Sequence, residues 1–140
     1  MAKPRRKTQT PKERAETKAW GARETILQGL PENVQDTLRV EPEGPGLREF
    51  SAWQQNMYRR VAEAAEVYED TSYWFAGTEL AFCPLCSDGA RHPGRGTIGW
   101  RHPTGLMWHL EGKGQARRCR AMEKIEEPFL RRSIVARRAG

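Results

Sequence analysis

This sequence predicts a mainly α-helical chain with one small hairpin-and-helix unit organised by a metal ion, and three observations carry the prediction. Apolar residues recur at helical spacing in the amino-terminal third, the middle and the carboxy-terminal third. All three cysteines and one of the three histidines fall into a single ligand-like pattern. Leu, Ile, Val and Phe make up only 22 of the 140 residues, under the roughly 20% below which aliphatic burial alone rarely orders a chain. Five Trp and three Tyr supply further apolar area, so an ordered centre with frayed, charged ends is expected.

The first seven residues form a basic run with no apolar anchor, and residues 1–9 read as a mobile tail. Thr10, Pro11 and Glu13 then have the chemistry of a helix start, with a hydroxyl and a carboxylate for free N–H groups and Pro at the first helical position. Ala15, Ala19, Ala22, Ile26 and Leu30 give that helix a thin apolar stripe, which Gly29 and Pro31 stop. A short helical stretch is expected around Val34 and Leu38. Two Pro and two Gly within residues 41–46 make a linker, so residues 1–46 read as tail, helix and linker set apart from the main body.

The longest amphipathic pattern follows. Leu47, Phe50, Met57, Val61, Ala64 and Tyr68 keep helical spacing, predicting a helix over 47–70 within a segment 47–76, with Glu49, Glu63, Glu66 and Glu69 on its other face. Tyr73, Trp74 and Phe75 form an apolar run that Gly77 ends. A short strand is expected at 79–82, a Gly-rich loop from Ser87 to Gly99 and a second strand over 97–101. Residues 103–110 read as a helix ending at Gly112 or Gly114, and 115–127 as another that Pro128 ends or kinks. The ligand-bearing module is thus 77–127, and 128–140 is a basic tail with its last eight residues mobile.

Cys83, Cys86, His109 and Cys119 form C-x2-C-x22-H-x9-C. A C-x2-C turn places two sulfurs on one side of a tight loop, where zinc completes a tetrahedron with two further nitrogen or sulfur donors. Gly89 is expected to permit the reversal of that knuckle. An odd cysteine count without a secretion signal disfavours a disulfide, and no strand–helix alternation supports a redox pair. His92 and His102 are the alternative fourth donors to Cys119. With so few aliphatic residues, zinc also supplies the folding energy the module lacks.

Residues 82–86, Phe-Cys-Pro-Leu-Cys, and 105–110, Gly-Leu-Met-Trp-His-Leu, resemble a C2HC variant of the C2H2-like zinc finger over residues 80–121. The resemblance implies a knuckle-bearing hairpin before a helix that supplies the third ligand, with Leu106 packed under the metal. It departs in its spacer, 22 residues where the family has about 12, and in a last ligand nine residues on, past two glycines. The expected fold class is mainly α with a small zinc-bound, zinc-finger-like β-hairpin and helix.

Charge is segregated along the chain: residues 1–23 carry +6, 31–80 carry −6 and 81–140 carry +7. Arg makes up 18 of the 24 cations, which suits bidentate phosphate or carboxylate contacts and equally a GC-rich genome. Arg117, Arg120 and Lys124 recur at helical spacing beside Arg118. With Arg91, Arg95, Arg101 and Lys113 they make a basic surface on the zinc module. The expected function is a small non-catalytic, zinc-stabilised accessory protein that binds nucleic acid. The alternatives are a protein-interaction adaptor or inhibitor, for example from a phage or mobile element, acting through the acidic 47–70 helix, and a zinc-bearing nuclease with His102 as base. His109-Leu-Glu111 matches the H-x-E of zinc deaminases, but follows C-x-x-C instead of preceding it. No apolar run reaches a membrane-spanning length, so a soluble, cytoplasmic protein is expected.

Overall fold

The computed structural model describes residues 8–71 and 76–139; the basic run 1–7 and the apolar run 73–75 lie outside the described residues. The first helix, α1 (Pro11–Gln28), begins as its chemistry requires. The Thr10 hydroxyl accepts the Glu13 N–H at 3.1 Å, and Pro11 occupies the first turn, where its missing N–H is not needed. Its most buried line is Ala19, Arg23 and Leu27, while Ala15, Ala22, Ile26 and Leu30 are half-buried. A short α2 (Glu32–Leu38) buries Val34 and Leu38. Residues 41–46 have no regular structure, but the Trp53 indole N–H donates to the Val40 carbonyl at 2.6 Å and ties the linker down.

Helix α3 (Leu47–Ala64) buries Phe50, Trp53, Met57, Tyr58 and Val61. It ends well short of residue 70, because Ala65 is extended and Tyr68 belongs to a strand. Long-range pairing outweighs the helical spacing of Tyr68. Strand β1 (Tyr68–Glu69) pairs antiparallel with β2 (Glu79–Ala81), Tyr68 opposite Leu80, and the Tyr68 hydroxyl accepts the Gly99 N–H at 2.9 Å. Glu66 and Glu69 therefore leave the helix, and the acidic face expected over 47–70 is split between α3 and the sheet edge.

The stretch expected as a loop contains a hairpin, β3 (Ala90–His92) against β4 (Gly96–Ile98). The strand expected at 97–101 is two strands, β4 and β5 (Trp100–Arg101), the latter completing an antiparallel sheet in the order β1-β2-β5. Arg95, at the hairpin's turn, grips the buried Asp70 carboxylate with two bonds of 2.7 and 3.2 Å.

Helix α4 (Thr104–Glu111) stops where expected. Gly112 adopts φ 82°, and the Gly112 and Lys113 N–H groups both return to the Trp108 carbonyl. Residues 115–119 are not helical; α5 (Arg120–Ala139) starts later than expected and continues past Pro128. The supposed basic tail 128–140 and mobile last eight residues are therefore helix through Ala139. Losing the Pro128 hydrogen bond costs about 3 kcal/mol. Burying Ile125 and Phe129 beside it returns roughly 1.5–3 kcal/mol each, which offsets that cost.

Phe129 is where the helices meet: Trp20 of α1 contacts it edge-on at 5.2 Å and Trp53 of α3 at 5.0 Å. The buried Arg23 side chain lies over the same ring at 5.0 Å and donates to the Leu38 carbonyl at 3.0 Å. Leu27, Val34 and Leu38 thus share one core with Met57, Leu106, Cys119 and Ile125, and the linker does not hold an arm apart. Among the described residues no helix is long and apolar enough to cross a membrane.

Candidate metal centre

The four candidate ligands come from three local structures: one turn holding Cys83 and Cys86, helix α4 and the residue before α5. Just after β2, the chain turns at Cys83 to Cys86: the Ser87 N–H donates to the Cys83 carbonyl at 2.8 Å and the Cys83 N–H to the Asp88 carbonyl at 3.0 Å. The residue that takes the left-handed conformation in this knuckle is Ser87, φ 62°, not Gly89. Gly89 is required for another reason, since a Cβ there would sit 2.1 Å from the Ile98 carbonyl oxygen. His109 projects from the second turn of α4, and Cys119 lies immediately before α5. The Cys119 sulfur accepts the Met122 N–H at 3.5 Å, taking the cap position of that helix. The Cys119 N–H donates to the His109 carbonyl at 2.8 Å, which locks the last two ligands together.

The donor atoms of Cys83, Cys86, His109 and Cys119 all lie within 4.8 Å of one another, an arrangement compatible with a metal ion. Cys83 and Cys119 sulfurs stand 3.9 Å apart and are free thiols, far beyond the roughly 2.05 Å of a disulfide. Cys83, His109 and Cys119 are buried; Cys86 is exposed. His109 points Nε2 into the cluster, 3.3 Å from the Cys86 sulfur, and Nδ1 at the Arg117 carbonyl. A carbonyl only accepts, so Nδ1 is the protonated nitrogen and Nε2 faces the sulfurs, the arrangement in which an outer hydrogen bond orients a ligating imidazole. Trp100 stacks on the same ring at 4.5 Å and 16°, fixing its plane.

Charge in the cluster must be balanced. Contacts from the Cys119 and Cys83 thiols, with His109 and the Asp88 backbone adding to them, pull the Cys86 thiol well below the ordinary range. The neighbouring Cys119 and Cys86 sulfurs, and burial, push Cys83 up. Burial alone would lower the His109 pKa, but the Cys119 and Cys86 sulfurs and the Arg117 carbonyl outweigh it and raise it to about 9. A cation among these three sulfurs would supply positive charge in place of protons.

A brace behind the cluster has no signature in the sequence. Glu126, 3% exposed, accepts from the Tyr58 hydroxyl at 2.8 Å, Arg118 Nη2 at 2.8 Å and Gln54 Nε2 at 2.5 Å. Arg118 also donates to the Leu110 carbonyl, joining the end of α4 to α5 next to Cys119. Burial raises the Glu126 pKa despite these donors. Tyr58 and Gln54 lie 68 and 72 residues from Glu126 in sequence, so no local spacing announces those two partners.

The predicted basic surface divides in two. Arg95 and Arg118 are committed to Asp70 and Glu126. Arg91, Arg101, Lys113, Arg117, Arg120 and Lys124 are exposed; Arg117 pairs with Asp88, and the Lys113 ammonium lies 5.9 Å over the Trp108 ring. The other two histidines stand apart from the cluster. His102 Nε2 is 2.8 Å from the Ala62 carbonyl, and His92 Nδ1 is 3.0 Å from the Pro93 carbonyl. The His102 contact is a structural bond across to α3. Compared with family models, curated proteins and solved structures, the chain shows no match.

Proposed function

We propose that Cys83, Cys86, His109 and Cys119 hold one structural zinc ion, and that the protein binds nucleic acid through exposed cations around that site without catalysing chemistry. The observation that carries the reading is the three-sulfur, one-imidazole cluster itself. Tetrahedral zinc with bonds of about 2.3 Å keeps two ligand sulfurs about 3.8 Å apart, close to the 3.9 Å between Cys83 and Cys119. Four protein donors leave no open position for a substrate or an activated water. The order of strand, knuckle, returning strand and helix supports the likeness to a C2HC finger. Its long spacer is accounted for by the inserted hairpin Ala90–Ile98, nine residues that leave the rest near the finger's usual length of about 12.

The nucleic-acid part rests on Arg91, Arg101, Lys113, Arg117, Arg120 and Lys124, exposed beside the cluster. Elemental analysis of the native protein is expected to give one zinc per chain, with nucleic acid in the same preparation; a zinc-free, folded protein overturns the metal reading. Replacing Arg117, Arg120 and Lys124 by Gln is expected to flatten the log–log salt dependence of binding by about 2.1 on single strands or about 2.7 on duplex DNA, since each neutralised phosphate releases counterion. Zinc content should be unchanged. A native protein without salt-dependent affinity for any DNA or RNA overturns this part.

A further inference from the structure

Beside the metal cluster, between the β3–β4 hairpin, β5 and the start of α4, lies a cleft of about 890 Å³. That is within the roughly 300–1,000 Å³ of sites that take small organic molecules. Arg91, Arg101 and Arg117 line it with Trp108, and no carboxylate-bearing residue does. Among the described residues neither Arg91 nor Arg101 is ion-paired, whereas Arg117 shares its charge with Asp88. We infer that this cleft seats an unpaired base of single-stranded nucleic acid, stacked on the Trp108 indole, with Arg91 and Arg101 on the flanking phosphates. The inference rests on the nucleic-acid reading above and names the form of nucleic acid it takes.

Trp108 is the reason for choosing a base over a bare phosphate. Leaving Trp108 42% exposed, on a helix that buries Leu106, His109 and Leu110, forfeits burial that this aliphatic-poor chain needs. The ring is nevertheless held. Gly114, with φ 64°, brings the backbone so near that a Cβ there would lie 3.2 Å from the indole. A rigid aromatic platform loses little entropy when a flat ring stacks on it, and cations at the rim track the charged backbone on either side. Trp100 is no competing platform, because its ring is stacked on His109 and buried. In a duplex the base faces are covered by their neighbours, so a concave aromatic site favours a single strand.

The test uses the metal-loaded full chain and three probes: oligothymidylate, an abasic strand of equal length and polyglutamate. The native protein should bind oligothymidylate more tightly than the abasic strand. Trp108→Ala should weaken oligothymidylate binding by about 5- to 150-fold, since a stacked base contributes roughly 1–3 kcal/mol, and leave abasic binding unchanged. Trp108→Phe should restore most of the loss, with zinc content reporting that both variants fold. If native protein binds abasic and base-bearing strands equally in a salt-dependent way, the cleft inference falls and the nucleic-acid reading stands. If polyglutamate displaces the strand as well as oligothymidylate does, the cleft is a general anion site and the inference falls. If no single strand binds, the cleft inference falls; if duplex DNA and RNA fail to bind as well, the nucleic-acid reading falls with it.

Discussion

Around Phe129, three long helices close on a cluster of aromatic rings, whereas around Cys83 the strands are two or three residues long and the ligands themselves occupy the centre. The helical side makes up for scarce aliphatic residues with Trp and Phe, which bury large apolar areas and meet edge-on at Phe129. The metal-ligand side relies on a few directional contacts: the knuckle's two backbone bonds, the His109 bond to Arg117 and the buried Glu126 brace. Helix α5 belongs to both, with Cys119 at its start and Phe129 in its middle. A small chain can therefore be stabilised by two kinds of energy in neighbouring regions, provided one rigid element connects them.

The largest effect expected from breaking this contrast is metal removal. A structural zinc contributes on the order of 10 kcal/mol, comparable with the whole stability of a typical domain, roughly 5–15 kcal/mol. A strong chelator, or Cys83→Ser, should abolish amide-exchange protection from β2 through α4, with part of the helical signal of α1, α3 and α5 retained. Undiminished protection of Leu80, Ala81 and Leu106 in the stripped protein would show that burial alone holds this region.

A smaller effect sharpens the other side of the contrast. Phe129→Ala removes the ring shared by Trp20, Trp53 and Arg23 and should cost about 3–5 kcal/mol in thermal or denaturant unfolding. Metal stoichiometry should persist at low temperature. Loss of the metal together with the helical packing would mean that the two regions unfold as one cooperative unit. The smallest effect is at the far end of α1. Thr10→Ala removes the cap on the Glu13 N–H and should cost about 1 kcal/mol, read as faster exchange in the first turn with no change in either core.

Reading the chain by itself reached the parts governed by local chemistry. Thr10 and Pro11 start a helix because the first N–H groups need an acceptor, and Gly112 stops one because its left-handed φ suits glycine. The two Cys of the knuckle and the third Cys with His109 were legible because few residue types can ligate a metal and the chain has few of them. The strand reading was blurred, since segments of two or three residues beside glycine carry almost no periodicity.

What the sequence alone determined was thus the candidate donors Cys83, Cys86 and His109, the starts of α1 and α3 and the segregation of charge, all legible from residue type or local spacing. Tertiary structure decided the rest. It decided that α3 ends before Tyr68, because a sheet partner at Leu80 outcompetes another helical turn. It decided that α5 passes through Pro128, because Phe129 gains more from Trp20 and Trp53 than the helix loses. It also turned Arg118 inward to Glu126 while leaving Arg120 and Lys124 exposed. Each choice depends on tertiary contacts that together outweigh local preferences, which differ by less than about 1 kcal/mol for most residues and by about 3 kcal/mol for proline.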